Sequence, residues 1–135
     1  MPYTAYTNAE YAFGAASERE VAPVLYKFFG VKPTGERFAK ADFSSSSVFV
    51  ELKTRRCMST TYEDFMMTPV KLVNASQCGK DAYFVFRFYD GLYYWLYDPT
   101  VTLRSDWNGR QDRGRDERKT MYYIPRSLLT KLNVT

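Results

Sequence analysis

The stretch Ala41-Asp42-Phe43-Ser44-Ser45-Ser46-Ser47-Val48-Phe49-Val50-Glu51-Leu52-Lys53-Thr54-Arg55-Arg56 decides how this chain is read. Val48 to Thr54 predicts a strand in which Val48, Val50 and Leu52 alternate with Phe49, Glu51 and Lys53. The period of two places Glu51 and Lys53 on one face. Glu36 to Phe43 predicts the preceding strand, with Phe38, Lys40 and Asp42 on one face, and Ser44 to Ser47 forms the loop between them. A hairpin of these segments sets Asp42 beside Glu51 and Lys53. A carboxylate or an ammonium loses hydration inside a strand unless it is paired or holds a metal, so charges there need a reason.

Working outward, the same alternation of elements continues. Thr7 with Glu10 reads as a capping box, and a helix is expected from there to Phe29, stopped by Gly30 and kinked or restarted at Pro23. At 100° per residue Tyr11, Ala15, Glu18, Ala22, Leu25 and Phe29 share one face, which puts Glu18 in an apolar stripe and Glu20 roughly opposite. Lys32 to Gly35 is a turn. Pro69 to Gly79 predicts a second helix, Ala82 to Tyr89 a strand, Asp90-Gly91 a hairpin turn and Leu92 to Asp98 the returning strand. The aromatic runs 83–89 and 93–97 are read as sheet core. Arg104 to Lys119, with six basic and four acidic residues, is read as a flexible surface loop. Tyr122 to Ile124 predicts a short strand and Pro125 to Leu132 a last helix. Helix, strands, helix, strands gives an α/β fold with a mixed central sheet flanked by helices.

Composition narrows the chemistry. A chain of 135 residues, 45% apolar, suits one compact domain with a real core. No apolar run reaches bilayer length and no signal pattern opens the chain, so a soluble, intracellular, cytoplasmic protein without a membrane partner is expected. Cys57 and Cys78 lack metal-ligand spacing and are expected to be free thiols. There is no histidine, which excludes Ser-His-Asp and Cys-His catalysis and histidine-bound zinc. Any enzyme here works with carboxylates, lysine, tyrosine or a metal held by oxygen. The net charge of +4 and a pI near 9.0 suit a polyanionic partner.

An acid, any residue and a lysine recur by chance. Glu117-Arg118-Lys119 repeats the pattern of Glu51-Leu52-Lys53 in a charged loop with nothing apolar around it, so the tripeptide alone carries little weight. The strand around Glu51 and Lys53, and Asp42 before it, make the difference. One reading is a plain salt bridge of Lys53 with Glu51 or Asp42 at a sheet edge. The other is phosphodiester hydrolysis: Asp42 and Glu51 hold Mg²⁺, the Leu52 carbonyl adds a ligand, and Lys53 handles the attacking water.

This pattern is similar to the PD-(D/E)XK nuclease superfamily, matched at Asp42, Glu51, Leu52 and Lys53, with Ala41 where the family has proline. Gly14-Ala15-Ala16-Ser17-Glu18 resembles the Gly-x-x-x-Glu helix of archaeal Holliday junction resolvases. The resemblance implies a restriction-endonuclease-like fold, Glu18 (preferred over Glu20) as a further metal-site and catalytic acid, and Lys71 as the basic residue of the second helix that reaches the site. It further implies a Mg²⁺-dependent endodeoxyribonuclease, with Mn²⁺ able to substitute. The favoured member type is a Holliday junction resolvase acting in DNA recombination on branched or duplex DNA as a homodimer. The alternatives are another deoxyribonuclease of the superfamily, restriction-like or end-processing, and a non-catalytic nucleic-acid-binding relic. A virus- or phage-encoded origin suits so small a chain. Arg55 and Arg56 read equally well as phosphate contacts or as a solvated strand end, and Lys71 is included among the DNA-facing cations. Tyr62 and Asp64 follow the site strand, and spacing leaves their place open.

Overall fold

The computed structural model describes residues 2–35, 39–108 and 119–134, with side chains from residue 12 onward. Helix α1 (Pro2–Phe29) begins at a proline, which fits a first turn because its missing N–H has no helical partner to lose. The Thr7 capping box is therefore not the start. The helix ends where Gly30, at φ +69°, donates its N–H to the Tyr26 carbonyl at 2.9 Å. Pro23 neither breaks nor restarts the helix; it sits on the exposed side while Val21 and Leu25 are buried against the sheet. Burying two such side chains gains about 3–6 kcal/mol, enough to offset the ~3 kcal/mol cost of an interior proline. The fully buried line is Ser17, Val21 and Leu25, so the expected stripe is rotated by about one residue and Glu18 falls on its rim.

The remaining elements are β1 (Lys32–Pro33), β2 (Phe43–Ser44), β3 (Val48–Thr54), β4 (Asp64–Met67), α2 (Pro69–Gln77), β5 (Asp81–Phe88), β6 (Gly91–Leu96), β7 (Arg104–Asn108), β8 (Lys119–Pro125), a 3-10 turn (Arg126–Leu128) and β9 (Thr130–Lys131). A mixed six-stranded sheet has the order β1-β2-β3-β5-β6-β9. Within it β3 and β5 run parallel, linked through α2, and the other pairs are antiparallel. The fold is thus α/β, a mixed sheet flanked by two helices, consistent with the restriction-endonuclease-like architecture.

Strand alternation builds two cores. Val50, Leu52 and Val85 face α1 and pack with Val21, Leu25 and Phe43. Phe49, Phe84 and Phe86 face the other side, toward Ala75 of α2 and toward Phe65, Met67 and Ile124. Those last three come from a second, three-stranded sheet of order β4-β8-β7. The aromatic runs are mainly core, as expected: Phe84, Phe86, Phe88 and Trp95 are buried, with Phe65 against Phe88 at 4.8 Å between ring centroids.

Three expectations fail locally. The strand over Glu36 to Phe43 contracts to Phe43–Ser44. Residues 36–38 lie outside the described set, and Ala39 to Asp42 are not strand. Asp42 therefore does not share a strand face with Lys40; it stands just before β2. The expected loop from Arg104 to Lys119 contains β7 at its start and the first residue of β8 at its end, and residues 109–118 lie outside the described set. The last helix is replaced by the 3-10 turn and β9. Tyr93 and Tyr94 pair with Lys131 and Thr130, and Leu132 donates to the Leu92 carbonyl at 2.8 Å, so edge pairing with a buried Leu132 prevails over helix propensity. Strand β4 was not expected; its Phe65 and Met67 point inward in alternation within a segment too short to announce itself.

Candidate active site

The site grows from the place where β2 leaves β3. These strands pair only at Phe43↔Val50 and Ser44↔Phe49. Beyond Val50, the β2-facing edge of β3 needs other partners, and Asp42 supplies them. Its N–H donates to the Val50 carbonyl at 3.1 Å and its carboxylate Oδ2 accepts the Leu52 N–H at 2.7 Å. A side chain here takes the role of a ladder partner, which is why a strand is unnecessary. N–H and C=O of one strand residue point to the same side, so the Leu52 carbonyl faces this edge too.

Glu51 points to the opposite face from Leu52 and is buried, at 2% exposure. Its Oε1 lies 2.9 Å from Lys71 Nζ and 3.4 Å from Lys53 Nζ. Its Oε2 is buried with no hydrogen-bond partner among the described residues. Glu18, from α1, comes near enough to Asp42 for the two carboxyls to perturb each other's titration. Glu18, Asp42, Glu51, Lys53 and Lys71 thus meet from α1, the approach to β2, β3 and α2. The helical-phase argument separates the two glutamates correctly, since Glu20 instead pairs with Arg87 at 2.7 Å.

The electrostatics follow from crowding acids in a poorly solvated place. Burial pushes the Asp42 carboxyl up, and Glu18 adds to this against the Leu52 N–H bond and the two lysines. Burial raises Glu51 as well; Asp42 pushes the same way, against the pull of Lys53 and Lys71. Glu18 is raised by burial and by Glu51, although Asp42 and Lys71 pull it down. Lys53 is lowered, first by burial, then by Lys71 and Arg55, although Glu51 draws it up. Lys71 loses hydration on burial, yet its contacts with Glu51, Asp42 and Glu18 leave it raised. Each acid binds protons more readily than it would in water, chiefly because burial strips its hydration, with a neighbouring carboxylate adding to the cost.

That frustration is what a divalent cation relieves. Among the described residues no three acidic or cysteine side chains stand as a ready-made metal cage; ammonium groups sit against Glu51 instead. The donor set nevertheless fits Mg²⁺: carboxylates, a backbone carbonyl at an open strand edge, and a buried glutamate oxygen without a partner.

The other sequence candidates divide. Lys71 stands inside the acid cluster, against Glu51, with part of its side chain exposed. Arg55 lies partly buried, with Nη2 donating to the Met66 carbonyl at 3.3 Å. Arg56 is exposed and stacks over Phe13 at 3.7 Å. Neither arginine joins the acids. Tyr62 is exposed, and Asp64 pairs with Arg104 at 3.0 Å in the second sheet, so neither is part of the cluster. Sequence reasoning missed the network that pins α1: Ser17 Oγ to Thr54 Oγ1 at 2.5 Å, and Arg87 donating to Ser17 at 3.2 Å and to Glu20. Its only signal was Arg87, a lone charge in the run Phe84-Val85-Phe86-Arg87-Phe88.

No curated protein and no solved structure matches the chain. A family model does, that of the phage putative PDDEXK endonucleases, over residues 37–132, a span that holds Asp42, Glu51, Lys53 and Lys71 but stops short of Glu18. With Asp42 on the Leu52 N–H and Glu51 between two lysines inside that span, the chain belongs to the phage PDDEXK endonuclease family.

Proposed function

We propose that the protein is a Mg²⁺-dependent DNA endonuclease, selective for branched DNA in the manner of Holliday junction resolvases, encoded by a phage and active as a homodimer in the infected cell. The observation that carries the metal-dependent reading is the buried acid cluster, with its raised proton affinities and the unpartnered Oε2 of Glu51. A non-catalytic relic has no use for such a costly arrangement. The helix acid Glu18 beside Asp42 supports the resolvase-like reading, and a two-fold dimer would offer one site to each of two strands.

In this reading Asp42, Glu51, Glu18 and the Leu52 carbonyl hold the cation, with Mn²⁺ able to replace Mg²⁺. The cation supplies an acidified water and neutralises phosphate charge. Lys53 would orient the water, and in its neutral form, which the lowering of its pKa on burial favours, it would accept the water's proton at Nζ and become an ammonium. Lys71 leaves Glu51 for the phosphate and stabilises the charge that builds there. Arg55 and Arg56 steady the flanking backbone.

The test is a cleavage panel of four-way junction, linear duplex and single strand, each with Mg²⁺, with Mn²⁺ and with EDTA. The expected result is metal-dependent cutting that favours the junction by about tenfold or more. Equal cutting of junction and duplex would remove the resolvase-like assignment, and no cutting of any substrate would remove the enzyme.

A further inference from the structure

A second cleft lies beside α1, along the side that carries Phe13, Ser17 and Glu20 rather than Glu18. It has a volume of about 470 Å³ and is lined by Phe13, Ser17 and Glu20 of α1, by Thr54 to Arg56, and by Arg87 to Tyr89. It therefore opens at the C-terminal ends of the parallel strands β3 and β5, the usual place for ligands on such sheets. Lys53 and Thr54 are neighbours on β3 with side chains on opposite faces, so the cleft and the acid cluster are served by adjacent residues of one strand.

The lining has a distinct chemistry. Three arginines face one acid among the described residues, and that acid, Glu20, is already paired with Arg87. Arg56 holds its guanidinium carbon 3.7 Å from the centre of the Phe13 ring, so a cation rests over an aromatic ring in the cleft lining. Tyr89, just past the end of β5, also lines the cleft and is 71% exposed, so its ring is open to a stacking partner. Cations for phosphate, with a ring and a guanidinium plane for stacking, match one nucleotide: a base with its phosphate. The volume suits one such unit and is too small for duplex DNA.

We propose that this cleft receives a single nucleotide unstacked from its strand next to the scissile phosphate, with its base against Tyr89 and the Arg56–Phe13 ledge and its phosphate toward Arg87. The inference rests on the nuclease reading, and it sharpens the substrate: DNA in which a base is already out of the stack, as at a branch, a gap or an end. Duplex DNA would first have to break a stack, which costs affinity.

The test measures binding without cleavage, in EDTA, by fluorescence anisotropy. The probes are a continuous duplex, the same duplex with one unpaired 2-aminopurine at a gap, and free dAMP as competitor. The gapped probe should bind about tenfold tighter than the duplex, with a change in 2-aminopurine emission on binding. Tyr89→Ala and Arg56→Ala, both at exposed positions, should each remove most of that preference. Equal affinity for both probes in wild type, or a preference untouched by both substitutions, would overturn the proposal while leaving the nuclease reading in place. Displacement by dAMP at micromolar concentration would overturn it in favour of a free-nucleotide site. Failure to bind either DNA would overturn it together with the nuclease reading.

Discussion

Asp42 is asked to do two things at once. Its Oδ2 completes the edge of β3 by accepting the Leu52 N–H, and its charge stands beside Glu18 and Glu51. The first task stabilises the fold and the second opposes it. The raised pKa of each acid means that the folded protein prefers the protonated form. That contribution to stability is complete below the ordinary carboxylate range and is lost as pH rises through the raised values. Metal-free protein should therefore become less stable as pH climbs from about 4 toward neutrality. Asp42→Asn keeps an acceptor for Leu52 and deletes the charge. It should raise the melting temperature of the metal-free protein at pH 7.5 by a few degrees. Millimolar Mg²⁺ should raise the wild-type value and leave that of the variant nearly unchanged. A variant less stable than wild type in EDTA at that pH would mean that the acids do not repel one another as described.

Among the elements, α1 carries the greatest burden, because it brings Glu18 to residues that the chain reaches far later. Val21 and Leu25 fix its distance from the sheet, and the Ser17–Thr54 bond with Arg87 on Ser17 and Glu20 fixes its rotation. Thr54→Val is nearly isosteric and removes the hydroxyl that Ser17 meets. The expected stability loss is about 1 kcal/mol by urea denaturation. The expected rise in the Mg²⁺ concentration needed for half-maximal cleavage is about tenfold, because the helix that holds Glu18 is freer to turn. Unchanged metal dependence with the same stability loss would make this network purely structural.

Elements with a strong period were legible in the sequence: β3, α2, β5 and β6 form where Val48 to Thr54, Pro69 onward and the aromatic runs place them. Elements whose existence depends on a distant partner were not. Strand β4 needs β8, β9 needs β6, and the segment before Asp42 gives up strand structure because a carboxylate meets the open edge. The charged cluster was legible for a related reason. Glu51 and Lys53 share a face by local periodicity, the chain reversal before Val48 brings Asp42 to them, helical phase singles out Glu18, and the resemblance alone supplied Lys71. The pinning network joins α1 to residues tens of positions away, and local pattern does not reach that far.

On the scale of the whole molecule, one sheet organises everything. Its α1 face holds an aliphatic core, its other face an aromatic core covered by α2 and the second sheet, and the acid cluster lies where both layers and the strand edge meet. No helix among the described residues is long and apolar enough to cross a membrane. The family match covers the span that contributes Asp42, Glu51, Lys53 and Lys71, and α1 adds Glu18 from outside it. The central claim is that Glu51, buried between Lys53 and Lys71, belongs to a metal-dependent hydrolytic centre. The direct measurement is Mg²⁺-dependent cleavage of a four-way junction by wild type and by Glu51→Gln at matched DNA occupancy. The account predicts that the substitution lowers the cleavage rate by about 10²–10³ or more while DNA binding persists; undiminished cleavage by Glu51→Gln would contradict it.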